Sequence, residues 1–155
     1  MRSILLVALI SVIFFSFKGK QDPGFLQSQN RWVDSVFKSL TPRERLAQLF
    51  MVAAYSNKDM KHVREIHELI EKYNIGGLIW MQGGPGRQAK LANYYQSIAK
   101  TPLMYSIDGE WGLAMRLDST IQYPKQMTLG AIKNDSLIFY MGQQIARECK
   151  RLGIH

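Results

Sequence analysis

Residues 108–117 read Asp-Gly-Glu-Trp-Gly-Leu-Ala-Met-Arg-Leu, and they carry the densest chemistry in the chain. A carboxylate such as Asp108 can accept two hydrogen bonds from vicinal hydroxyls. Arg116, further along the same loop, can fold back and donate a fork of hydrogen bonds to the same place. Trp111 offers an apolar face, and Gly109 and Gly112 allow close backbone approach. Carboxylate, guanidinium and aromatic side chains together make a typical sugar-binding set. A structural Asp108–Arg116 ion pair beside a core Trp111 fits the same pattern, and the residues alone do not choose between the two.

Other groups are weaker candidates. Gly84-Pro85-Gly86-Arg87-Gln88-Ala89 fits a Gly-x-Gly-x-x-Ala nucleotide fingerprint, with Asp108 on the next strand. That makes a dinucleotide-binding domain a competing reading. Pro85 removes one backbone donor from such a phosphate cradle, and a tight strand-to-helix turn is the simpler account. His62 and His67 stand five apart, so they do not share a helix face as paired metal ligands would. They read as surface histidines. Asp108, Glu110 and Asp118 have nothing to fix a cation geometry and read as solvated acids. No metal site and no cofactor is expected. Cys149 is the single cysteine, so it forms no internal disulfide and no Cys-based zinc site.

The elements that must position these residues alternate. Trp32, Val33, Val36, Phe37 and Leu40 recur at helical spacing. Thr41-Pro42-Arg43-Glu44 is a helix start, with a capping threonine, proline at the first helical position and a glutamate completing the box. That helix is expected to run into Leu46–Leu49. Phe50–Ala54 reads as a short buried strand. A helix over 59–73 follows, with Met60, Val63, Ile66, Ile70 and Tyr73 on one face and Asn74 at its end. Gly76–Met81 is a second buried strand, then come the loop Gln82–Gly86 and a helix over 87–99. In that helix Tyr94 and Tyr95 divide between core and surface. Leu103–Ile107 is a third strand, which delivers Asp108 to a long loop. Asn134 or Asp135 caps a last helix to about Leu152, ended by Gly153. Buried strands alternating with amphipathic helices indicate an α/β fold with a parallel sheet. Ligands of such sheets bind at the carboxyl ends of the strands, where the 82–86 and 108–124 loops lie.

At 155 residues the chain has room for one ordinary domain and not for a complete α/β barrel of about 250 residues. With 46% hydrophobic and 21% charged residues it is globular in composition. The net charge of +8 owes part to Arg2, Lys18 and Lys20. The rest is scattered in pairs such as Lys61/Glu65 and Glu68/Lys72, so a solvated surface is expected and no nucleic-acid partner. Arg2 precedes an apolar run from Ile4 to Phe17, shorter than the roughly 20 residues of a membrane span. Residues 1–20 therefore read as a secretory signal or an uncleaved anchor, and residues 21–31 as a linker. The expected location is periplasmic or secreted, with membrane contact only through that segment.

Five segments in order resemble one family. They are Leu46–Val52, Ile75–Trp80, Ser106–Leu117, Tyr123–Ala131 and Gly142–Ile154. Together they resemble the N-terminal barrel domain of glycoside hydrolase family 3, over roughly residues 32–155. The loop 108–117 is similar to the Asp-x-Glu-Gly-Gly-x-x-x-Arg-Leu of its exo-acting β-N-acetylglucosaminidase branch. Trp111 departs from it, standing where a glycine is usual. The resemblance implies a (β/α)8 TIM barrel of which about the first three βα units are present. It implies retaining hydrolysis of terminal β-linked N-acetylglucosamine, with an N-acetylglucosamine-containing glycan as the partner. Asp108 and Arg116 would bind substrate, Trp111 would line the pocket, and Glu110 would be structural in the loop. The family's nucleophile and acid/base histidine would lie beyond His155, so these residues include no catalytic group and would be inactive alone. A β-glucosidase of the same family, a non-catalytic sugar-binding module and the dinucleotide-binding domain are the competing readings.

Overall fold

The computed structural model describes residues 23, 24 and 30–155. The expected signal and most of the expected linker lie outside the described residues. No helix among the described residues is long and apolar enough to cross a membrane. The chain divides into two compact units, 1–35 and 36–155. Helix α1 (Arg31–Ser39) runs across the division, and none of its residues is buried.

The second unit is built from βα steps. Helix α2 (Pro42–Ala47) opens on the capping box foreseen in the sequence. Glu44 N–H donates to Thr41 Oγ1 at 3.2 Å, and Thr41 N–H donates to the Glu44 carboxylate at 2.7 Å. The helix stops at Ala47, short of Leu49. Strand β1 (Met51–Ala54), helix α3 (Met60–Tyr73), strand β2 (Gly77–Trp80), helix α4 (Pro85–Ile98) and strand β3 (Met104–Ile107) follow. Asp59 caps α3, and Asn74 ends it in the left-handed conformation at φ 56°. The three strands form one parallel sheet in the order β1-β2-β3.

The core lies between the sheet and helices α3 and α4. It holds Val63, Ile66 and Ile70 of α3, Ala92 and Tyr95 of α4, and Ala54, Leu78, Trp80 and Tyr105 of the strands. Trp80 stacks on Tyr95 at 6.3 Å and meets Tyr105 edge-on at 5.8 Å. Tyr105 Oη donates to the Ala92 carbonyl at 2.8 Å, pinning β3 to α4. Full burial of one such large apolar side chain contributes about 2 kcal/mol. At the amino ends of the strands, Asn74 ties neighbouring turns together. Its amide donates to Thr101 Oγ1 at 3.0 Å, and its carbonyl accepts from Gln48 Nε2 at 2.6 Å.

Several expectations need correction. Met60 shares the spacing of the buried face of α3 but is 62% exposed, because it sits in the first turn, clear of the core. Phe50 and Met51 are exposed although the segment read as a buried strand. Here β1 is an edge strand, and its pleat turns Met51 away from the helices. The loop after β3 is not featureless: it contains a 3₁₀ turn (Leu113–Met115) and helix α5 (Gln126–Gly130). Helix α6 (Asp135–Arg151) is capped by Asn134, whose side chain accepts from Ser136 N–H. Past α6, Gly153 turns at φ 67°, and the chain returns beside β3, where His155 N–H donates to the Tyr105 carbonyl at 2.9 Å.

Candidate functional site at the carboxyl ends of the strands

The sheet register sets the site. Ala54 pairs with Trp80, and Trp80 with Ile107. One residue further along each strand come Tyr55, Met81 and Asp108. Met81 N–H still donates to the Ala54 carbonyl at 2.8 Å, so the strands remain in step. Side chains alternate across a sheet, and Trp80 belongs to the helix-facing core. The next layer therefore faces the other way, and Asp108 leaves the sheet on the face opposite α3 and α4.

Arg116 comes back to Asp108 as the loop composition suggests. Its Nη2 donates to Asp108 Oδ2 at 2.5 Å, and its Nε donates to the Asp108 carbonyl at 3.1 Å. The arginine side chain is 18% exposed and the aspartate 43%. One edge of the carboxylate is thus fixed by the guanidinium while the group stays open to solvent. The 3₁₀ turn makes this return possible. Gly112 lies at φ 93°, its N–H donates to the Gly109 carbonyl, and Arg116 N–H donates to the Leu113 carbonyl. Leu113 and Leu117 are buried and anchor the turn beneath the site.

Trp111 is half-buried and is not a core residue. The Lys125 ammonium sits 5.4 Å from its ring centroid. The Glu110 carbonyl accepts from Gln126 Nε2, so the backbone at Glu110 is tied to the start of α5.

A second set of contacts was not foreseen. Arg87, in the first turn of α4, donates from Nε to the Ser56 carbonyl at 3.2 Å and from Nη2 to Asp118 at 2.5 Å. Ser56 Oγ accepts from Gly84 N–H at 3.1 Å. Gly83 N–H donates to the Arg116 carbonyl, and Asp118 N–H donates to the Gly83 carbonyl. Asp118 is therefore paired and is not a free solvated acid. The Arg87 hydrogen bond holds its carboxyl below the ordinary value. These contacts also answer the nucleotide fingerprint, since the Gly84 N–H that a phosphate would take is already given to Ser56. In the sequence Gly84–Arg87 reads as a tight strand-to-helix turn, which does not disclose the partner at Asp118.

His62 is not a surface histidine. Its side chain is 11% exposed, and its Nε2 accepts from Tyr55 N–H at 3.1 Å, at the end of β1. Burial and the nearby Lys58 charge lower its pKa. His67 lies elsewhere, between Tyr94 and Glu71 on the α3–α4 surface. Among the described residues no group of three or more His, Cys, Asp or Glu is placed to hold a metal ion.

The chemistry of this arrangement suits hydroxyl groups. It offers an ordered, solvent-facing carboxylate, a guanidinium locked against it and an aromatic ring in the same loop. Residues 41–155 match the model of the glycosyl hydrolase family 3 N terminal domain. The fold is similar to a solved structure of beta-glucoside phosphorylase BglX bound to 2FGlc, with a TM-score of 0.63 and 19% sequence identity. That match covers 79% of this chain and 22% of the other, so this chain spans about a fifth of that protein's length. Comparison with curated proteins gives no match.

Proposed function

This chain belongs to glycosyl hydrolase family 3 through its N-terminal domain, and from that premise we propose that it supplies the terminal-sugar contacts of an exo-acting, retaining β-N-acetylhexosaminidase. The substrate is a glycan ending in β-linked N-acetylglucosamine. Asp108 accepts hydrogen bonds from the hydroxyls of that sugar, Arg116 donates to it and holds Asp108 in place, and Trp111 lines the entrance. The complete fold is a (β/α)8 barrel, to which the parallel strands β1–β3 contribute consecutive staves. Residues 1–20 direct the protein out of the cytoplasm.

One observation carries the reading. The pairing of Asp108 with Arg116 leaves the carboxylate held by the guanidinium and facing solvent at a strand's carboxyl end. In a retaining mechanism a nucleophile attacks the anomeric carbon while an acid protonates the leaving oxygen, and the same group then activates water. The contacts proposed for Asp108 and Arg116 would hold the ring in place through both steps.

Saturation-transfer NMR of the chain with N-acetylglucosamine and with glucose tests this. Transfer to N-acetylglucosamine that disappears in Asp108→Asn supports the proposal. Transfer to glucose alone would replace the amino sugar with a β-glucoside, and transfer to neither would sink the sugar site.

A further inference from the structure

Arg87 touches three different loops, although it belongs to none of the sugar contacts. Its Nε reaches the Ser56 carbonyl after β1, and its Nη2 reaches the Asp118 carboxylate after β3. Its own helix begins at the loop after β2. The remaining bonds complete a closed circuit. Ser56 Oγ binds Gly84 N–H, Asp118 N–H binds the Gly83 carbonyl, and Gly83 N–H binds the Arg116 carbonyl. Gly83 and Leu117 form a parallel bridge, so the β3 loop lies alongside the β2 loop as a short extra rung.

The glycines show how tightly this circuit is drawn. A Cβ on Gly83 would fall 1.8 Å from Ser56 Oγ. A Cβ on Gly84 would fall 2.6 Å from Arg87 Nη2 and 2.8 Å from Asp118 Oδ1. The guanidinium and carboxylate thus lie directly on the Gly84 backbone, where a Cβ would have to push the pair itself aside. Gly86, two residues later, has nothing within 4 Å of its Cβ position, so the constraint belongs to the strap and not to the turn in general.

We propose that Arg87 and Asp118 act as a positioning strap: they hold the 108–118 loop against the ends of β1 and β2, and so fix where Arg116 presents its guanidinium to Asp108 and to the sugar. The role in sugar binding rests on the function proposed above; the coupling between the strap and Arg116 does not. The path is short and physical. Asp118 stands two residues after Arg116, and the Arg116 carbonyl is itself one of the bonded atoms. Lysine cannot replace Arg87, because one planar fork serves two acceptors at once and an ammonium on a flexible stem does not.

The experiment uses the full chain and reads the Arg116 Nε–H resonance by nitrogen-15 NMR, together with saturation transfer to N-acetylglucosamine. Arg87→Met and Asp118→Asn are each expected to shift and broaden that resonance and to weaken sugar binding by about tenfold. Arg87→Lys should behave like Arg87→Met, and Asp118→Glu should restore part of the parent signal. Asp118 is exposed, so Asp118→Asn keeps the test alive if Arg87→Met folds poorly. An Arg116 resonance unchanged in both variants overturns the strap. A resonance that moves in a protein that binds no sugar keeps the strap and rejects the sugar site, so the two ideas fail separately.

Discussion

Arg116 holds Asp108 twice over, through the carboxylate at 2.5 Å and through the backbone carbonyl at 3.1 Å. The second bond matters as much as the first. It fixes the guanidinium plane relative to the end of β3, so the carboxylate is aimed as well as paired. Arg116→Lys keeps the charge and loses the fork. Sugar binding is expected to fall by about tenfold in Arg116→Lys and below detection in Asp108→Asn. Thermal melting should move little in either, because Asp108 is open to solvent. Titration by saturation-transfer NMR, alongside circular dichroism melts, checks both halves. A large loss of melting temperature in Asp108→Asn would identify the pair as structural.

Gly112 is expected to tolerate no side chain. Its φ of 93° is unfavourable for any L residue, and an added Cβ would lie 2.8 Å from the Tyr123 ring. Gly112→Ala should destabilise the unit by about 1–3 kcal/mol, from backbone strain with steric displacement of Tyr123 added. Urea unfolding reads this directly. Gly86→Ala, with open space around it, is the control and should be neutral or slightly stabilising.

The capping box at Thr41 and Glu44 is a local device and should behave as one. Thr41→Ala is expected to cost about 1 kcal/mol in urea unfolding. Glu44 also takes the Lys100 ammonium at 2.6 Å. Hydrogen bonds from Lys100 and from Thr41 hold its pKa at about 2. Since the folded value is depressed, the contribution of this carboxylate is present above the ordinary glutamate range. It is lost as pH falls through the folded value. Between pH 7 and pH 5 the cost of Thr41→Ala should therefore not change.

His62 sets a different pH window. Burial lowers its pKa in the folded chain, while the unfolded chain titrates at about 6.5. Below that value the unfolded state takes up a proton that folded His62 resists, so stability falls as pH falls. Urea midpoints measured at pH 8 and pH 5 should show a loss in the parent. The loss should be smaller in His62→Gln, whose amide oxygen can still accept from Tyr55 N–H. An identical loss in both would remove His62 as its source.

Element positions were legible in the sequence to within a few residues, because hydrophobic spacing and capping residues act locally. Thr41, Asn74 and Asn134 each mark a helix boundary where the sequence placed it. The return of Arg116 to Asp108 was also legible, since both partners sit in one loop with glycines between them. The strap was not. Arg87 and Asp118 stand 31 residues apart and meet only because β2 and β3 are neighbours in register. His62 escaped for a related reason. A lone polar residue among helix-surface residues gives no sign that a strand end needs an acceptor there. The exposure of Met51 was hidden because alternation predicts a face and not whether anything covers it.

The register of the sheet also bears on how the chain is made. Each strand pairs with the one before it, and each pairing closes over roughly 26 residues of chain. His155 then comes to rest against Tyr105. A parallel sheet with distant pairings must wait for its whole length before its contacts form. Here every rung can close as soon as the next helix and strand have been synthesised. The segment can assemble in the order in which a ribosome delivers it, amino end first.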